Sequence, residues 1–221
     1  MAENERTEGE RQFERYLNSA HYPFEFEKSY AGRAKKPDYT VTASQVFLAD
    51  VKDFDPFIPN LGFQQVDVHS RIREKIQAGY KKFKEYKDFP CCVVLQNNGN
   101  PHVSVAEPAI VLGCMYGTVG FQVPIYIGNG PPPAGNPPAP TPVFTGDAQM
   151  TATKNRTISA LLSLREVAVG ILGVIVWENA HARLPLSREL FRGTYDERFG
   201  LEDGYVQRIF CGSGMAELET T

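Results

Sequence analysis

The stretch KPDYTVTASQVFLADVKDF, Lys36 to Phe54, decides the fold. Pro37-Asp38 opens a first β-type run that continues through Tyr39, Thr40 and Val41, and Val46 to Lys52 forms a second. Pro is tolerated at a strand start because that residue need not donate to the ladder. Thr42, Ala43, Ser44 and Gln45 lie between the runs, so the pair reads as a β-hairpin. In a hairpin the start of one strand sits beside the end of the next. Asp38 is therefore expected close to Asp50 and Lys52. Strand alternation sends Asp50 and Lys52 to one face and Val51 to the other.

Two carboxylates on one face repel, and each raises the other's pKa. A divalent cation removes that cost. Oxygen ligands suit Mg²⁺ or Mn²⁺, which take one or two carboxylates plus water and phosphate oxygens. The Lys52 ammonium could then orient a water or stabilise charge on a phosphate.

Composition sets the frame. At 221 residues the chain is long enough for one sizeable core. The net charge of −3 does not advertise nucleic-acid binding, so a local basic patch would have to supply it. Cys91, Cys92, Cys114 and Cys211 lack metal-ligand spacing and read as buried free thiols of a reducing, cytoplasmic setting. The polar, acidic start MAENERTEGER does not read as a signal peptide. The longest apolar run, Val167 to Trp177, is too short and glycine-broken to span a membrane.

Upstream of the hairpin, Gly9 to Asn18 is helical in pattern, with Phe13, Tyr16 and Leu17 as the apolar stripe and Glu10 and Glu14 sharing another face. Tyr22 to Tyr30 alternates like a half-buried strand. The loop AGRAKK brings Arg33, Lys35 and Lys36 just before Asp38, within reach of a phosphodiester backbone. Downstream, Phe54, Phe57, Ile58 and Phe63 suggest a loop tucked onto the body. Val66 to Tyr86 is the clearest helix. Ile72, Ile76, Tyr80 and Phe83 form its apolar stripe, and Lys81, Lys82 and Lys84 belong to a basic surface suited to tracking phosphates. Phe89 to Gln96 reads as a strand buried on both faces, entering the sheet beside Asp50 through a right-handed crossover.

Residues 98 to 153 read as a Gly/Pro-rich insertion, a lid or an oligomer arm. It is β-leaning from Pro101 to Ile127 and low-complexity from Gly128 to Pro142. Thr157 to Val167 is expected to be a helix capped by Asn155. Gly170 to Trp177 is expected to be a buried strand, with a short helix near Ser187 to Phe191. His181 and Arg183 could border the site.

Pro37-Asp38 followed by Asp50-Val51-Lys52, set in paired strands between an acidic and a basic helix, resembles the PD-(D/E)xK nuclease superfamily. The resemblance covers roughly residues 9 to 97, with a looser match at 154 to 178. It implies one α/β domain with a restriction-endonuclease-like core, a central mixed sheet flanked by helices. It also implies a Mg²⁺- or Mn²⁺-dependent nuclease acting on nucleic acid, with DNA as the expected substrate. Asp38, Asp50 and the Val51 carbonyl would hold the metal, and Lys52 would position the attacking water. Glu14, with Glu10 second, would complete the site. Gln77 and Tyr80 resemble a further motif of recombination-type members at one residue shorter spacing. The alternative is a module of the same fold that binds nucleic acid or a protein partner without catalysis.

Overall fold

The computed structural model describes residues 6–56, 67–122, 141–202 and 205–218. In chain order the elements are α1 (Glu8–Ser19), β1 (Phe24–Phe26), β2 (Tyr39–Thr42), β3 (Val46–Phe54), α2 (Val68–Phe83), β4 (Cys91–Asn97) and α3 (Pro108–Tyr116). They continue with β5 (Thr118–Gln122), β6 (Thr141–Thr145), β7 (Ile158–Ala168), β8 (Ile171–Glu178), β9 (Glu197–Glu202), β10 (Tyr205–Cys211) and α4 (Ser213–Leu218).

A mixed eight-stranded sheet carries the molecule, in the order β1-β2-β3-β4-β7-β8-β9-β10. The β2–β3 hairpin is antiparallel, with Tyr39 opposite Ala49 and Thr42 opposite Val46. α2 then crosses over, and β4 enters parallel to β3 with Val93 opposite Asp50. β7 lies parallel to β4, β8 turns back antiparallel, and β9 adds parallel to β8. The hairpin, the crossover and the strands at 91–97 and 171–178 stand as the sequence predicts.

Alternation divides the core into two layers. Leu48, Cys91, Val93 and Leu95 pack with Ile72, Ile76 and Phe83 of α2 and with the apolar α3. Phe47, Ala49, Val51, Cys92 and Val94 pack on the other face with Phe13, Tyr16 and Leu17 of α1. Adjacent Cys91 and Cys92 thus sit on opposite faces, both buried and both free. α1 starts on a capping box: Thr7 Oγ1 accepts from the Glu10 N–H, and the Glu10 carboxylate accepts from the Thr7 N–H.

α2 approaches β4 closely because Gly79 has no side chain. A Cβ there would lie 2.3 Å from Val93 Cγ2.

Four expectations need correction. Residues 158–168 form strand β7, not a helix. Its first seven residues are buried on both sides between β4 and β8, so the run carries no one-faced period and its Leu and Ala content imitates a helix. Asn155 does not cap a helix; its side-chain amide donates to the Gln149 carbonyl at 2.7 Å. The segment after Pro101 is not simply β-leaning. It forms α3, apolar on every side, and Val111, Leu112, Cys114, Met115 and Tyr116 join the core layer under α2. Ser187 to Phe191 is not helical; it forms a turn whose Ser187 and Leu190 carbonyls accept from buried Arg198. Phe57, Ile58, Phe63 and most of the Pro-rich run lie outside the described residues. Among the described residues, no helix is long and apolar enough to cross a membrane.

Candidate metal centre

Asp50 lies in the middle of β3 and is fully buried. It faces the α2 layer with Leu48, and Lys52 follows two residues on. The Lys52 ammonium lies 2.7 Å from Asp50 Oδ2. Oδ2 is itself buried, with that ammonium against it.

Asp38 reaches the same point from the start of β2. Its Oδ2 accepts the Val51 N–H at 2.8 Å. The paired register ends at Tyr39–Ala49, and Asp38 sits in a bend just before it.

The fourth member comes from α2. Lys82 Nζ lies 2.5 Å from Asp50 Oδ1 and also donates to Asp38 Oδ1. Sequence reasoning gives Lys82 to the phosphate-tracking surface instead. The legible signal is its place one turn after Gly79, where the helix lies closest to the sheet. The lysine side chains are each 21% exposed, against 0% for Asp50, so both ammoniums reach the surface while the carboxylate does not.

The charges follow from this packing. Burial, then the nearby Asp50 charge, pushes the Asp38 carboxyl up to about 7 against the pull of Lys82. Burial acts on Asp50 in the same direction, but Lys52 and Lys82 outweigh it and hold Asp50 below the usual carboxylate range. Burial disfavours the Lys82 ammonium, yet Asp50 and Asp38 more than offset this and raise its pKa. Two ammoniums thus balance two carboxylates.

Other predicted site residues lie elsewhere. Glu14 is on the α1 face, where it accepts from the Tyr39 hydroxyl at 3.0 Å and pairs with Arg6 at 2.8 Å. Tyr39 and Asp38 are adjacent in sequence and point to opposite sides of the sheet, so Glu14 does not join the carboxylates. Glu10 is held in the capping box. The Gln77 amide is turned to Gln149. Tyr80 packs against the core. Arg33 is taken by Asp88 through two hydrogen bonds of 2.6 and 2.8 Å, its guanidinium 4.5 Å from the Tyr86 ring centroid. Lys35, Lys36, Lys81 and Lys84 are exposed.

The donors present fit some ions and not others. Among the described residues there is no group of three or more His, Cys, Asp and Glu side chains able to hold a metal. A zinc-type site is therefore not assembled from these residues. The two converging carboxylates of Asp38 and Asp50 are oxygen donors of the kind that suits Mg²⁺ or Mn²⁺, which complete their shell with water and phosphate oxygens.

No protein-family model, no curated protein and no solved structure matches this chain.

Proposed function

We propose that the protein is a metal-dependent phosphodiesterase that hydrolyses nucleic acid, with DNA the first substrate to test. The observation that carries this reading is the convergence of Asp38, Asp50 and Lys52 on one point beside the start of β2. Asp38, Asp50 and the Val51 carbonyl would hold Mg²⁺ or Mn²⁺. When bound, the ion would lower the pKa of a water and stabilise the charge that grows on the phosphate. The Lys52 side chain lies beside Asp50 and reaches the surface, so it can hold the attacking water or the leaving charge in line. Leu48, Val93 and Leu95 are buried in the core layer on that side of the sheet, so the floor of the site is apolar.

The test is a panel of single-stranded, double-stranded and flapped DNA and RNA, incubated with Mg²⁺ or Mn²⁺ and with chelator. Metal-dependent cleavage of any of them supports the proposal. No cleavage of the panel, together with no calorimetric Mn²⁺ binding, rejects it.

One observation favours a second reading, the binding module without catalysis. Lys82 and Lys52 already balance Asp38 and Asp50 in charge. Lys82→Met separates the two readings. If the carboxylates are metal ligands, removing a competing charge about 4 Å or less away should tighten Mn²⁺ binding by roughly tenfold or more. Calorimetry reads this directly, and thermal stabilisation by Mn²⁺ gives an independent measure. A variant as indifferent to Mn²⁺ as the parent would favour the module.

A further inference from the structure

The far flank of α2 carries a second concentration of charge. A depression of about 290 Å³ lies where the α2–β4 connection meets the ends of β7 and β8. Lys84, Lys87, Arg156 and Arg183 line it, and no described carboxylate does. Topology brings them together. β7 runs parallel to β4, so the turns entering both strands lie side by side. β8 returns antiparallel, so the residues leaving it meet those entering β7, and the Arg183 N–H donates to the Arg156 carbonyl at 2.7 Å.

Exposed lysines and arginines usually mark a solvated surface. Three points separate this cluster from that. First, none of the four cations is ion-paired with a described carboxylate, whereas Arg33 and Arg188 elsewhere on the surface are. Second, the field at a helix C-terminus accounts for Lys84 but not for Arg156 or Arg183, which lie in the connections before β7 and after β8. Third, Thr157 lines the hollow, and its hydroxyl is a buried oxygen without a hydrogen-bond partner. Four like charges around one hollow repel one another, and an anion removes that cost. Guanidiniums offer paired N–H donors to phosphate, and a hydroxyl can add a further donor.

We propose that this pocket binds phosphate groups of a polynucleotide, outside the Asp38–Asp50 centre. The identity of the polyanion rests on the nuclease reading above. Lys82 and Lys84 leave the end of α2 in different directions, one to the carboxylates and one to the pocket. A strand leaving the centre would round that end to reach Arg156 and Arg183. Half-buried Tyr80 lines the same wall and offers a ring on which a base could stack. Phosphate contacts of this kind fix position without reading sequence.

The test uses the full chain, chelator to block hydrolysis, and fluorescein-labelled oligothymidylate followed by anisotropy over a range of salt. Arg156→Ala/Arg183→Ala changes two exposed residues. It should weaken binding by about tenfold or more and lower the magnitude of the salt slope by roughly 1.4, two single-strand contacts' worth. The double Lys replacement at these positions should recover most of the slope. Pyrophosphate should compete weakly, because it offers fewer phosphates than the strand. Unchanged affinity and slope in the Ala variant, or equal affinity for pyrophosphate and the oligonucleotide, would overturn the proposal. Cleavage by the parent protein is scored separately. A parent that cleaves while the Ala variant binds normally rejects the pocket alone. A parent that never cleaves while the Ala variant loses binding rejects the nuclease alone.

Discussion

Asp50→Ala is expected to bring metal-dependent hydrolysis down to the level of buffer alone. Asp50 is the only fully buried carboxylate of the centre, and both lysines converge on it. Its loss removes one of the two carboxylates and leaves Lys52 and Lys82 facing Asp38 alone. The residual charge would then repel a divalent ion instead of drawing it in. Calorimetry should show Mn²⁺ binding lost together with cleavage. Lys52→Ala should behave differently. It should slow cleavage by about 10² to 10⁴ while Mn²⁺ affinity holds or rises, since both carboxylates remain. A Lys52→Ala protein within about threefold of the parent rate would remove Lys52 from the chemistry. Thermal melts of both variants separate these outcomes from unfolding.

The largest loss of stability is expected far from that centre, at Asp196. Its carboxylate is 1% exposed and ties three parts of the chain together. Oδ2 accepts from the Tyr16 hydroxyl of α1 at 2.6 Å and from the Gly193 N–H at 2.7 Å. Oδ1 accepts from the Val174 N–H of β8 at 2.9 Å. Asp196→Ala takes the acceptor from three donors, two of them buried. Each orphaned donor costs about 1–3 kcal/mol, so the variant should lose roughly 3–5 kcal/mol in chemical denaturation. At the slope usual for a chain of this size, that is on the order of 10 °C in Tm. Asp196→Asn keeps one acceptor oxygen and should lose less. A loss below about 1 kcal/mol in the Ala variant would mean the three donors find other partners.

The hairpin and crossover are legible in the sequence because both carry local signals. Turn residues separate two β-type runs, and a one-faced apolar stripe marks α2. The same alternation brings Asp38, Asp50 and Lys52 together on residue pattern alone. β7 is hidden for the opposite reason. ISALLSL is covered on both sides by neighbouring strands and helices, so it has no polar face to set its period. α3 is hidden likewise, since PAIVLGCMY is buried over most of its length. β9 is masked by charge. Arg198 within it is fully buried and donates to Glu178 and to carbonyls of Ser187 and Leu190 that only the folded chain brings near. Glu14 is misplaced by its pattern because a helix position alone does not tell which side of a sheet the helix will cover. Tyr39, one residue from Asp38, claims that carboxylate on the far side.

Gly79 gives the centre a property that its charged residues alone do not. Lys82 is rooted on a helix, its two partners on strands, and the gap between them is set where the helix backbone rests on Val93. Val93 is also the residue paired with Asp50 in the sheet. One methyl group of extra thickness at that point would lift the ammonium away from both acids together, with no change in any residue that carries charge. The missing side chain is therefore the spacer of the site. Hydrophobic packing between helix and strand acts as the gauge to which its electrostatics are cut.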